Sequence, residues 1–540
     1  MLRMRVLETT RKAKPYLPLV TAFGTLLIGL LALFSNLLGR PFNSDDVAEQ
    51  SMTHSFLVSS HHALQVQTDT YIIKYPIYWL LGLLTHPSVT QIVLESFLFN
   101  LLMIILLWVW WKNFSPDIPI TWLVFAWLLA CGTYWMAQTV NPNTRNIEIP
   151  LMLLIGCFAA KYLESLKEHR YKLSRLVAYV SGSAIITGLL IYNDPYLLFF
   201  ILLPLGLATL IYAKGKNDLW PLLFAVFGLI ISLVVFKHLV ASASHHGISF
   251  TKFNEINDLS SSVAFRYLPT KALHTLEGYL SLFGINTASA SLSLWRFLAG
   301  LPGLSIIFLA IWALYDIIRK RMFSLFNLWI IMVIIFAFFY VIITGTPLVN
   351  TLRYLIILVP LTAFLAVNGL VDLKKQFNQL YRVAVWLISL SLICSMIVAI
   401  INLSEHAQNA KPDQANYNLI TAFKHNGVKN AYVNYWMANI TYYLSDYYDN
   451  VLPTVCYHGE VYKDSALLDS ERFNFSGERT GVVATPKLIV PTNSLYPQSP
   501  SCTVSATIKQ FGKPQNIVQI KPSVTLLVYN HKLYLPWRQN

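Results

Sequence analysis

Charge is scarce in this chain. Asp, Glu, Lys and Arg make up 12% of its 540 residues, about half the share usual in a soluble domain. So thin a supply of charge does not fit a soluble chain of this length. Acidic residues are the rarer sign, 26 against 40 basic ones, giving a net charge of +14. Cysteine is sparser still, with 5 residues, too few for a disulfide scaffold. No segment repeats and none is of low complexity, which excludes solenoids and other arrays of fixed period. His54, His61, His62, His245 and His246 invite a metal reading, but the His-His pairs lack a carboxylate or third ligand at a suitable spacing. No small-residue cleavage site follows the first apolar run, so that run reads as a span and not as a removable signal peptide.

What the chain has in excess is apolar length. Its hydrophobic fraction is 55% and its mean hydropathy +0.52. A window of ~19 residues marks about 11 spans, beginning near Leu17, Ile92, Ile120, Ile147, Leu176, Tyr196, Leu219, Trp295, Leu325, Tyr354 and Val383. Asn193-Asp194-Pro195 alone separates the fifth from the sixth. The expected fold class is therefore an α-helical polytopic membrane protein. Basic residues cluster in the N-terminal tail and in alternate loops: Lys167 to Arg175, Lys214 with Lys216, Arg319 to Arg321, and Lys374 to Arg382. With this span count every cluster falls on one side, so the positive-inside rule places the N-terminus in the cytoplasm and the C-terminus outside. The net charge reflects this topology and is no nucleic-acid footprint.

The segments on the outer side are long enough to carry structure. The first runs over about 40–91 and the third over about 241–294. In the first, Ser51 to Val66 and Lys74 to Leu84 read as short amphipathic interfacial helices. The membrane module covers residues 1–403, and residues 404–540 form a more polar tail. That tail is long enough for one small α/β domain. Strand-type runs lie at Ala431–Asn434, Lys487–Val490, Ile517–Ile520 and Thr525–Tyr529, and helical ones at Asn416–His425 and Ala438–Tyr448. Cys131, Cys157 and Cys394 fall in spans and read as packing residues. Cys456 and Cys502 share the oxidising side, which permits a disulfide.

The residues that carry chemistry lie at the outer ends of the spans. Asp45-Asp46 follows the first span directly, with Glu49 one helical turn on. Such a pair can accept a proton from a hydroxyl, hold a divalent metal such as Mg or Mn, or cap the helix that follows. Crowded carboxylates raise at least one pKa, which suits a general base. Lys74-Tyr75-Pro76-Ile77-Tyr78 sets a cation at a helix start, where free backbone donors add to its pull on a phosphate; a lysine there can also simply snorkel to headgroups. Arg145 and Glu148 flank the second outer loop, Asp194 sits in an Asp-Pro turn, and Arg353-Tyr354 opens the tenth span. Glu95, near the outer end of the second span, is expensive to bury and is expected to join the acidic cavity.

In order and spacing these motifs resemble the GT-C glycosyltransferases, closest to the bacterial branch of the protein O-mannosyltransferases and the lipid A aminoarabinose transferase. The resemblance runs the length of the chain. This chain has Asp-Asp where the mannosyltransferases have Asp-Glu, and Lys-Tyr-Pro where many relatives have Lys-Pro-Pro. The resemblance implies a GT-C membrane module in a bacterial cytoplasmic (inner) membrane. It implies Asp45 as catalytic base with Asp46 beside it, and Lys74 on the phosphate of a polyprenyl-phosphate-linked sugar. Glu49, Arg145, Glu148, Asp194, Arg353 and Tyr354 would line the substrate site. The acceptor would be an extracytoplasmic glycan, lipid or protein. Two other classes are weighed against this. A lipid-sugar flippase would place polar residues in mid-membrane within paired broken helices, whereas the charges here gather at outer boundaries. A non-catalytic envelope-assembly protein on the same fold would tolerate replacement of Asp45.

Overall fold

The computed structural model describes residues 24, 27, 47, 50, 51, 54, 64–66, 74–114, 123–124, 146–165, 173–194, 197–217, 219–246, 248–250, 268–285, 294–320, 324–344, 355–409, 414–447, 450–457, 459–463, 468–469, 475, 479–484, 498–499 and 502–536. The spans expected near Leu17 and Ile120 lie almost wholly outside this set, as does the strand at Lys487–Val490.

The other apolar runs are helices. In chain order they are α1 (Tyr75–Leu84), α2 (Val89–Phe114), α3 (Glu148–Ser165), α4 (Leu173–Asn193), α5 (Leu203–Lys216, entered through a π-turn at Leu198–Leu202), α6 (Trp220–His245), α7 (Leu268–Leu282), α8 (Leu294–Arg319), α9 (Leu325–Thr344), α10 (Leu358–Gln376) and α11 (Asn378–Asn409). A helix satisfies its own backbone donors and acceptors, the condition for crossing lipid. Among the described residues, Val89–Lys112, Leu198–Gly215, Trp220–His245 and Leu325–Ile342 are each long and apolar enough to cross a membrane. Asn193 ends α4, so the polar break expected between two spans is a real helix end.

Apolar side chains face two environments. Almost every residue of α10 from Leu358 to Leu373 is buried, which places that helix in the centre of the bundle. By contrast α6 exposes Leu223, Val226, Ile230, Leu233 and Val234, as a helix does when its outer face meets lipid. Close helix approaches rest on glycine. A Cβ on Gly369 of α10 would lie 2.3 Å from the Leu309 carbonyl oxygen of α8, and one on Gly156 of α3 would lie 2.1 Å from the Trp329 ring of α9.

The tail is an α/β domain. Its sheet has the order β5 (Glu460–Lys463), β4 (Asn450–Tyr457), β3 (Asn430–Asn434), β7 (Thr480–Ala484), β10 (Val524–Tyr529), β9 (Asn516–Lys521), with β8 (Gln498–Ser499) also on β4. The central strands β4, β3 and β7 run parallel and the outer ones antiparallel. Helices α12 (Gln414–His425), α13 (Tyr435–Leu444) and α14 (Val504–Phe511) complete it. Cys456 and Cys502 are bonded, with Cα atoms 5.0 Å apart. A second, three-stranded sheet joins segments that are distant in the chain. In it β1 (Leu64–Val66) pairs in parallel with β2 (Ile248–Phe250) and antiparallel with β6 (Leu468–Asp469).

Three expectations need correction. The stretch Ser51 to Val66 does not stay helical, because Leu64–Val66 pairs as a strand with two other segments. Helix α13 stops at Leu444 instead of Tyr448, where Asp446 and Tyr447 adopt positive φ of 58° and 59°. Cys394 is exposed on its span helix, so it does not pack the interior as Cys157 does.

Candidate active site

The site forms where α1, α2 and α3 meet at one end of the bundle. Lys74 is the residue immediately before α1, and Pro76 occupies its first turn. Proline suits that position, since its fixed φ fits and its missing N–H is not needed there. The helix is short and apolar, with Trp79, Leu80, Leu83 and Leu84 exposed on it. Lys74 points the other way and is fully buried. Its Nζ lies 3.7 Å from Oε2 of Glu148, which is fully buried too. At that distance the contact is Coulombic, not a hydrogen bond. The Phe99 ring of α2 lies under the ammonium, 5.2 Å from it, and Tyr78 packs edge-on against Phe99.

Glu148 opens α3, where the helix dipole favours a negative charge. The Ile147 N–H donates to Oε2 at 3.2 Å, and Asn193 Nδ2 donates to Oε1 at 3.4 Å. Asn193 is the last residue of α4, and Asp194 follows it with its side chain fully buried. Lys74, Glu148 and Asp194 thus come from three segments well separated in sequence. The ion pair joins the first two, and Asn193 ties the third to Glu148. Asp45, Asp46, Glu49, Arg145, Arg353 and Tyr354 lie outside the described residues.

A second polar cluster sits nearby at the N-terminal end of α2. Glu95 is fully buried and accepts from Gln50 Nε2 and, at 3.2 Å, from Gln91 Nε2. Around it Val47, Ile92 and Val93 pack against Ile420, Ile440, Tyr443 and Leu444 of the α/β domain. His54 stacks on Tyr447, ring centroids 3.7 Å apart. Burial first, and then the Glu95 carboxylate, push the Tyr443 hydroxyl above the ordinary tyrosine range. Burial, Tyr442 and then Glu95 do the same to Tyr447. Both phenols therefore stay neutral at physiological pH. Through these contacts the tail rests on Val47, His54 and the N-terminal end of α2.

Sequence reasoning missed several participants. Phe99 gives no signal in an apolar run. Asn193 stands in the Asn193-Asp194-Pro195 break, where only the charge of Asp194 stands out in the sequence. The Gln91 to Glu95 spacing of one helical turn was a usable clue to a bonded pair. Among the described residues no group of three His, Cys, Asp or Glu side chains is placed to hold a metal.

The chain thus combines a multi-helix module, several of whose helices are long and apolar enough to cross a membrane, with an α/β domain packed against Val47 and the start of α2. The crystal structure of ArnT from Cupriavidus metallidurans in the apo state has this fold, with a TM-score of 0.55 over 93% of this chain and 97% of that one, at 12% identity. The archaeal oligosaccharyltransferase AglB from Archaeoglobus fulgidus, solved with an inhibitory peptide and a dolichol-phosphate, matches at a TM-score of 0.48 and 12% identity, over 80% of this chain and 64% of that one. No protein-family model and no curated protein matches the sequence. The likeness is one of fold.

Proposed function

We propose that this protein is an integral membrane glycosyltransferase that moves a monosaccharide from a polyprenyl-phosphate donor to an extracytoplasmic glycan, lipid or protein. Its membrane would be the bacterial inner membrane, with the N-terminus inside and the α/β domain outside. The observation that carries the reading is the buried Lys74–Glu148 pair with Asn193 and Asp194 beside it. Positions singled out in three distant segments converge at one end of the bundle, next to a helix whose exposed face is apolar. A buried ion pair is a costly way to hold helices together, and buried charge at a membrane boundary is a mark of function. The shared fold and the Cys456–Cys502 disulfide, which fits an oxidising compartment, support the same reading.

In this mechanism Asp45 takes the proton of an acceptor hydroxyl. The hydroxyl oxygen attacks the anomeric carbon from the face opposite the phosphate. The carbon–oxygen bond to phosphate breaks, its electrons leave with the polyprenyl phosphate, and the configuration inverts. The leaving group is a stable anion, so no general acid is needed. Lys74, Arg145 and Arg353 stabilise the charge growing on it, while Glu148 orients the lysine. Glu49, Asp194 and Tyr354 complete the walls.

The test uses the full-length protein in liposomes, polyprenyl-phosphate sugars of several kinds, and an envelope extract as acceptor. Release of polyprenyl phosphate with transfer of sugar of inverted configuration is expected for at least one donor. A protein that instead moves the intact lipid-linked sugar across the bilayer without breaking the phosphate bond is a flippase, and the proposal fails.

A further inference from the structure

Glu95 has no part in the reaction outlined above, yet it is fully buried in α2 near its outer end. Its two oxygens are both engaged, one by Gln91 of the same helix and one by Gln50 of the first outer loop, 45 residues away. The bond from Gln50 ties the second span to the segment that begins with Asp45-Asp46. That segment is gripped at a second point. Val47 is fully buried against Ile92 and Val93 of α2 and against Ile440 and Tyr443 of the α/β domain. The Val47 carbonyl accepts from the Ser51 N–H at 2.9 Å, closing one helical turn that spans Gln50. Asp46 is the chain neighbour of Val47, and Asp45 the next residue. Apolar burial alone is non-directional, but a carboxyl group accepting from two amide donors sets the rotation of the turn that presents one of them.

We infer that Glu95 is a positioning residue for the reaction: through Gln50 it fixes the helical turn that follows the acid pair, and so sets where the Asp45 carboxylate meets the acceptor hydroxyl. The inference rests on the reading of Asp45 as the base. A misplacement of about 1 Å at a reacting group costs on the order of 100-fold in rate. Loss of the tie should therefore appear in turnover and not in donor binding, which Lys74 serves from a separate contact.

The experiment measures kcat, donor KM and thermal midpoint for Glu95→Leu, Gln50→Leu, the double variant, Glu95→Gln and Asp45→Asn, each as the full chain in liposomes. Glu95→Leu is expected to lower kcat about 10–100-fold, with donor KM within about twofold. Gln50→Leu should lower kcat to a similar degree, and the double variant should lose little more, because one interaction has been removed twice. Glu95→Gln keeps one accepting oxygen and should recover most of the rate. The inference is overturned if Gln50→Leu or Glu95→Leu turns over at the wild-type rate while Asp45→Asn is inactive. It is equally overturned if the two single losses multiply in the double variant. If Glu95→Leu does not fold, Gln50→Leu and Glu95→Gln decide by the same criteria. If Asp45→Asn itself turns over normally, the assignment of the base falls and takes this inference with it, an outcome distinct from failure of the tie alone.

Discussion

Lys74 and Glu148 are the residues on which the site is most exposed to test. Each is fully buried, and each is the charge partner of the other. Removing one partner of such a pair leaves an unpaired buried charge and costs about 3–5 kcal/mol, whereas replacing both by apolar groups is often nearly neutral. Lys74→Met and Glu148→Leu should each lower the thermal midpoint clearly. The double variant should recover much of that loss while remaining inactive. A double variant that regains transfer would make the pair a structural staple, and Lys74 no part of the phosphate site. The acid pair permits a sharper distinction. If Asp45 and Asp46 jointly hold Mg or Mn, then Asp45→Asn and Asp46→Asn should fail equally and EDTA should abolish transfer. If Asp45 acts as a base alone, Asp46→Asn should lose less and EDTA should change little.

At the scale of elements, α1 and the α8–α10 contact make separate predictions. Trp79, Leu80, Leu83 and Leu84 lie on the exposed face of α1, so that face should sit among acyl chains and headgroups. A spin label at Leu83→Cys in liposomes should be more accessible to dissolved oxygen than to a water-soluble nickel reagent. The reverse order would place α1 in water and remove the lipid surface beside Lys74. Gly369→Ala would set a methyl 2.3 Å from the Leu309 carbonyl oxygen. Overpacking of this kind costs about 1–3 kcal/mol, and a lowered thermal midpoint would show it; an unchanged midpoint would mean the two helices are free to separate. Elements whose pattern is local were legible in the sequence. The long apolar runs within the described residues are helices, and Tyr75–Leu84, Asn430–Asn434 and Val524–Tyr529 lie within a few residues of where periodicity puts them. Leu64–Val66 has a helical local pattern but forms a strand, because its partners lie near residues 249 and 469. No window on the sequence contains that information. The same limit applies at the site. Lys74, Glu148 and Asp194 were legible because charge stands out against apolar sequence, whereas Phe99 and Asn193 took their roles only from folding. Gln50 could not be assigned to Glu95 for the same reason.

For the whole molecule the question is orientation. The proposed orientation, with the C-terminal domain outside, rests on the alternation of basic clusters along the sequence and on the disulfide in the tail. A reporter active only outside the cytoplasm, joined after Asn540, should be active. An inactive reporter on an inserted protein would reverse the orientation and place the site on the wrong face for an extracytoplasmic acceptor. The disulfide also bears on stability. Its two cysteines are 46 residues apart in sequence, and constraining a loop of that order typically contributes about 2–4 kcal/mol. Cys456→Ala with Cys502→Ala should therefore unfold the α/β domain at a lower temperature than wild type, with the membrane helices intact. Because the domain packs beside Glu95 and Val47, the same variant should also lose transfer activity.

The central claim is that this chain breaks a sugar–phosphate bond using Asp45 as the base. Its most direct test is the rate at which Asp45→Asn transfers labelled sugar from polyprenyl phosphate, with insertion and folding checked in parallel. Asparagine keeps the size of the side chain and much of its hydrogen bonding but cannot take a proton at neutral pH. General-base catalysis contributes about 10²–10⁴-fold, so a folded, inserted and nearly inactive variant is the predicted result. Transfer at the wild-type rate would make the acid pair a helix cap and contradict the account.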